Sequence, residues 1–150
     1  MAKAVCTLYG TDATVYGSLT ITQAHEDAKS IITGELSGLS PGKHALHVNI
    51  FGDISQPGGV FNPFGKTHGA PTDDERCVGS LGNIDVTTDG RATVHVEDAL
   101  VKLIGPHSII GRSLAVHANE DDLGKGGHDL SLQNGNAGAI TAFGVVGISS

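Results

Sequence analysis

The side chains best able to do chemistry together in this chain are a few histidines, one cysteine and one aspartate. His47 lies in a run of strand character, with His44 three residues before it and Asn49 on its own face by the strand period of two. His117 ends a second such run. His68 and Cys77 lie in one long glycine-rich stretch, and Asp121 opens another. Imidazole, thiolate and carboxylate are the usual ligands of zinc and, with softer preferences, copper, so a metal site is one expectation. The other is structural, with strand-end histidines held by hydrogen bonds. Spacing alone leaves both open.

Other apparent motifs carry less. Gly65-Lys66-Thr67 ends like a phosphate loop, but Val60 stands where that pattern needs glycine and no helical pattern follows. Gly111-Arg112-Ser113 resembles a nucleophile elbow, yet Ser113 runs straight into a strand and Ala115 replaces the closing glycine. His95 alternates with Val94 and Val96 and reads as a surface residue, as does His25 among Glu26, Asp27 and Lys29.

The elements that must position the candidates read as strands and turns. Val5–Tyr9, Gly17–Thr22, Ile31–Leu36, His44–Phe51, Ile84–Thr87, Ala92–Val96, Leu100–Ile104, Ser113–His117 and Ala142–Ile148 each alternate or are rich in β-branched residues. Ile84–Thr87 and Ala92–Val96 flank Asp89-Gly90, the strongest short-range hairpin signal. The 22 glycines suit many tight turns and oppose long helices. Close to eight strands at this spacing predict an all-β antiparallel sandwich or barrel. Gly52–Gly82 and Ala118–Ala139 break the rhythm as two long loops, a length that is usually functional or disordered.

Composition narrows the rest. A chain of 150 residues, 39% of them hydrophobic, suits a single domain over 1–150. The net charge of -7 argues against nucleic acid or an anionic membrane as partner. Met1–Cys6 lacks the apolar core of a signal peptide, and Cys6 and Cys77 fall short of a disulfide framework. The expectation is a cytoplasmic protein in a reducing compartment.

With these residues in view, a resemblance emerges. Ala45-Leu46-His47-Val48-Asn49-Ile50-Phe51-Gly52 resembles the copper-binding strand of the Cu/Zn superoxide dismutase family. His68 through Cys77 to Asn83 resembles its zinc loop, and His117 through Asp121-Asp122-Leu123-Gly124-Lys125-Gly126-Gly127 its electrostatic loop. Gly135-Asn136-Ala137-Gly138 and Gly144-Val145-Val146-Gly147-Ile148 are similar to its C-terminal signature. The similarity runs in order from about Lys3 to Ser150. It implies an eight-stranded Greek-key sandwich, or flattened barrel, with two long loops, an architecture shared by that family.

The resemblance also shows departures. Of the family's four copper histidines, His47 and His117 remain as residual ligands, while Asn49 and Val60 replace the others. On the zinc side His68 survives, Cys77 stands for a histidine, and Val60 and Ser80 replace the remaining ligands, leaving a weak half-site that His128 could supplement. Asp121 is implied to sit behind His47 and His68, and His44 behind the ligand set. Ile140 falls at the position of the family's substrate-binding arginine, and Asn119 and Gln133 at those of its steering lysines. One cysteine of the family's disulfide is replaced by Phe143, and Cys6 matches a buried free cysteine.

Together these points lead to the expectation of a divergent superoxide dismutase-like protein without competent dismutase activity. It would act by binding or regulation, for example of an active family member or its copper chaperone. Two alternatives stand beside it: copper handling through His47 and His117, and a copper-dependent dismutase with an altered metal site. No tightly bound cofactor is expected, with weak copper at most and zinc less so. Phe51-Gly52, Ile109–Arg112 and Gly147-Ile148 resemble the segments through which the family forms dimers, so a homodimer is expected, or a heterodimer with an active superoxide dismutase or its copper chaperone.

Overall fold

The computed structural model describes residues 1–12 and 14–150. It contains β1 (Ala2–Gly10), β2 (Tyr16–Gln23), β3 (Ser30–Ser37), β4 (Gly42–Asn49), β5 (Ser80–Val86), β6 (Arg91–Asp98), β7 (Ser113–His117), α1 (Ser131–Asn134), β8 (Ile140–Val145) and β9 (Gly147–Ser149). The strand order is β5-β4-β7-β8-β1-β2-β3-β6, every pairing antiparallel, with the short β9 also on β1. This is the expected all-β Greek-key fold, a nearly closed barrel in which β5 and β6 are the two ends of the path. No helix of the described residues is long and apolar enough to cross a membrane.

Alternation builds the core. In β1, Ala4, Cys6 and Leu8 point inward and are fully buried, while Val5, Thr7 and Tyr9 face out. Leu19, Ile21, Ile32, Leu36, Leu46, Val48, Leu114 and Val116 fill the same interior. Burial raises the Cys6 thiol to about 12, which suits the packing role expected of it. β4 and β7 break the alternation, because from His44 onward, and along all of β7, every residue is buried. Their outer faces lie beneath the two long loops, and that double cover creates the site.

Leu100–Ile104, expected as a strand, is not one. Its backbone N–H groups are taken by side chains: Asp98 Oδ1 accepts from Leu100 and Val101, and Gln23 Oε1 from Leu103 and Ile104. Val101 and Leu103 are still driven into the core, which explains the apolar pattern. A turn forms at Asp89-Gly90, with Gly90 at φ 80°, but not the expected hairpin: β5 and β6 are the two ends of the strand order and pair with β4 and β3 instead.

The first long loop is anchored by the buried Arg76. Its guanidinium donates to Asp98 Oδ2 at 2.7 Å and to the carbonyls of Pro71, Cys77 and Val78. The second loop is closed by Ala118 N to Ala139 O and Asn119 N to Ala137 O. His68 N donates to Leu132 O at 2.8 Å, tying the two loops together.

Candidate metal centre

His47 and Asn49 share the outer face of β4. On β7, Ala115 pairs with His47, so His117, two residues on, joins the same face. The His47 and His117 rings lie 4.7 Å apart between centroids, and the His47 and His68 rings 5.2 Å apart. Asp121, fully covered, joins the set: His47 Nε2 donates to its Oδ2 at 2.9 Å, and His68 Nε2 to its Oδ1 at 2.7 Å. Leu123 N also donates to Oδ1 at 2.8 Å. His47, His68 and Asp121 thus bring potential ligand atoms within 4.8 Å of one another in a buried group.

The hydrogen bonds dictate which atoms are free. His47 gives its Nε2 proton to a carboxylate, so its Nδ1 carries a bare lone pair. His117 Nδ1 donates to Gly138 O at 2.8 Å, so Nε2 is its bare atom. These two nitrogens are the buried side-chain polar atoms without a hydrogen-bond partner among the described residues. Burial lowers the His47 pKa against the pull of Asp121, and burial with the neighbouring His47 lowers His117 to about 4. Both rings are therefore neutral near pH 7, the form that ligates metal.

His68 differs. Ser80 Oγ lies 2.7 Å from its Nδ1, so both of its nitrogens are engaged. Burial opposes its charge, but hydrogen bonds to Asp121 and Cys77 outweigh that and raise His68 to about 9. Burial acts upward on Asp121 too, and bonds from His47, His68 and Leu123 overcome it, holding the carboxyl well below the usual carboxylate range. Cys77 is buried, with Sγ 3.6 Å from Lys66 O.

The structure gathers the other sequence candidates around these groups. Asn49 pairs with Ser113 and bridges to Val60, so two replaced family positions sit side by side. Ile140 pairs with His117 at the start of β8. His44 faces away from His47; its Nδ1 bonds His117 O at 2.7 Å and its Nε2 lies 2.8 Å from Ser40 O, so it steadies the strand end carrying His117. His128 is exposed and accepts from Leu130 N through Nδ1, occupied by its own loop.

Three supports were missed in the sequence. Asn83 clamps the backbone of Asp121 at both ends, donating to its O at 3.0 Å and accepting from its N at 2.7 Å. Gly138 supplies the carbonyl that orients His117. Gly135, at φ 71°, lets the loop approach so closely that a Cβ there would fall 1.8 Å from Asp121 Oδ1. The Gly135-Asn136-Ala137-Gly138 motif held the last two, but their work depends on contacts with distant residues.

The Greek-key barrel buries a His–Asp–His group that could hold a metal beneath its two loops, and the comparisons give the family. The copper/zinc superoxide dismutase (SODC) model matches residues 15–146. Proteins named superoxide dismutase [Cu-Zn] from Cordyceps militaris, Cryptococcus neoformans var. grubii and Talaromyces marneffei are 49%, 50% and 48% identical to this chain. Each alignment covers 100% of both sequences. The chain belongs to the copper/zinc superoxide dismutase family.

These findings bear on four expectations. About half identity over the whole length does not mark a divergent member. The expectation of no tightly bound metal is overturned by relatives named for copper and zinc and by the buried His47–His68–Asp121 group. It failed because ligands were counted by family position, a count that says nothing about which nitrogens the folded chain leaves bare. The expected lack of dismutase activity finds no support in the comparisons, nor does the heterodimer with an active member or a chaperone.

Proposed function

We propose that this chain is a copper-dependent superoxide dismutase with an altered metal site. One observation carries the reading: two neutral, buried imidazole nitrogens, His47 Nδ1 and His117 Nε2, lie on one face of the paired strands β4 and β7 without partners among the described residues. An unpaired buried polar atom costs roughly 1–3 kcal/mol, a cost that a bound metal removes. Copper held there would supply the one-electron chemistry by which superoxide is both oxidised and reduced.

The chain's own groups do the positioning. Asp121 fixes the His47 tautomer and increases its basicity, and the Gly138 carbonyl does the same for His117. His44 holds the His117 backbone, and Arg76 and Asn83 hold the loops that keep bulk water out. His68 keeps a proton on Nδ1 against Ser80 Oγ, a protonated group beside the centre. Imidazole and thiol are suitable zinc donors, so a second metal at His68 and Cys77 would have to displace that proton and the Ser80 hydroxyl.

Phe51 and Ile148, 55% and 79% accessible and in segments that resemble the family's dimer contacts, support a homodimer, as is typical of the family. Two free buried cysteines support a reducing, cytosolic setting.

The test is superoxide consumption by protein loaded with copper and zinc, beside the His117→Ala variant. Catalysed consumption by the wild type that falls at least 100-fold in the variant is expected, on the order of other losses of a catalytic unit. Consumption no faster than the spontaneous reaction, with copper in place, would overturn the proposal and leave a copper-holding protein.

A further inference from the structure

We infer that the His47–His117 pair is a two-coordinate site selective for Cu(I) over Cu(II). The inference rests on the copper reading above and specifies the oxidation state that the folded chain prefers.

Donor number is the first argument. Cu(II) seeks a tetragonal set of four or more N and O ligands, whereas Cu(I), a closed-shell ion, is satisfied by two imidazoles. The chain offers His47 Nδ1 and His117 Nε2 as bare atoms and little beyond them. Val60, bridged to Asn49, has no donor, and Ile140, paired with His117, has none either. Asn49 offers only an amide. Both Asp121 oxygens are already committed to His47, His68 and Leu123.

Charge is the second argument. A ligating imidazole adds no negative charge, and both side chains are buried, His47 at 0% and His117 at 8% exposure. Burying a doubly charged ion costs several times more than burying a singly charged one, and no anionic ligand contacts the bare nitrogens to offset it. The Asp121 carboxylate faces His47 Nε2, His68 Nε2 and Leu123 N rather than the bare nitrogens.

Rigidity is the third. Each ring is locked through its other nitrogen, His47 by Asp121 and His117 by the Gly138 carbonyl. Swinging either ring out to build a larger coordination sphere would break a buried hydrogen bond.

The experiment is anaerobic Cu(I) competition against bicinchoninate, matched by Cu(II) titration read by electron paramagnetic resonance, and by the X-ray absorption edge of the Cu(I) form. The wild type is expected to take one Cu(I) per chain with the intense edge feature of two-coordinate copper, and to hold Cu(II) at least 100-fold less tightly. His117→Ala should lose at least ~100-fold in Cu(I) affinity, since even partners behind a ligand cost 10- to 100-fold. His128→Ala should change it less than about threefold. Asn49→His, which returns an imidazole to the shared face, should create a Cu(II) signal with nitrogen splittings, and this gain does not depend on a damaged variant folding. Comparable Cu(I) and Cu(II) affinities in the wild type, a three- or four-coordinate edge, or Cu(I) uptake indifferent to His117→Ala would overturn the inference. Dismutation by a wild type that holds Cu(II) tightly sinks the selectivity alone. Two-coordinate Cu(I) without dismutation sinks the proposed function alone.

Discussion

The two sides of Asp121 contain similar residues in opposite states. On one side His47 and His117 leave Nδ1 and Nε2 bare, neutral and buried. On the other, His68 has both nitrogens engaged, carries a proton and rests against Ser80 and Cys77. One carboxylate serves both, yet one side is poised to accept a metal and the other is already closed by hydrogen bonds. A histidine's identity therefore says little about metal affinity; the partner of its second nitrogen decides.

Removing the shared carboxylate should affect both sides most. Asp121→Ala removes the acceptor of both His47 Nε2 and His68 Nε2, and with it the contact that holds the His68 proton. Two buried donors are orphaned at roughly 1–3 kcal/mol each, so the variant is expected to cost about 3–5 kcal/mol in the metal-free protein. Urea unfolding checks this; a loss below 1 kcal/mol would show that the carboxylate does not couple the two sides.

The next largest effect separates the sides by pH. His117 has a folded value of about 4 against an ordinary 6.5, so the unfolded chain binds the extra proton first. Its contribution is complete above 6.5 and is lost as pH falls towards 4, by roughly 3 kcal/mol for a 2.5-unit difference. His68 behaves oppositely: raised to about 9, it stabilises fully below 6.5 and its contribution is lost as pH rises through 9. Metal-free stability should thus fall in both directions, and His117→Gln should flatten only the acid limb.

Gly135→Ala comes third. Its Cβ would meet Asp121 Oδ1 at 1.8 Å and His68 Nε2 at 2.8 Å from a φ of 71°, so a loss of about 2 kcal/mol is expected. The proton NMR signal of the His68–Asp121 hydrogen bond should shift or vanish, while the His117–Gly138 bond stays. Ser80→Ala is the mildest, at about 1 kcal/mol, and opens only His68 Nδ1. Zinc affinity should rise in that variant if the hydroxyl is what closes the site, with Cu(I) affinity unchanged.

Much of this architecture was legible in the chain. Alternation in Ala4-Val5-Cys6-Thr7-Leu8 and the Asp89-Gly90 turn marked strands because period two and left-handed turn geometry are local properties. Leu100–Ile104 misled because its apolar pattern records burial, while its backbone partners are Asp98 and Gln23 side chains. At the site, the motifs brought His47, His68, His117 and Asp121 to notice. Ser80 read only as a lost ligand, although it holds His68, and Asn83 passed without a role.

The sequence by itself determined the strand set, the two loops and the inventory of donors, since these follow from side-chain chemistry and near-neighbour periodicity. Only the tertiary structure decided which imidazole nitrogens are spent and which are bare. That choice depends on hydrogen bonds spanning 74 residues from His47 to Asp121 and 53 from His68 to Asp121, and on burial that makes each unpaired lone pair costly. No local pattern encodes such distances; the barrel creates them by bringing β4 and β7 together beneath the loops.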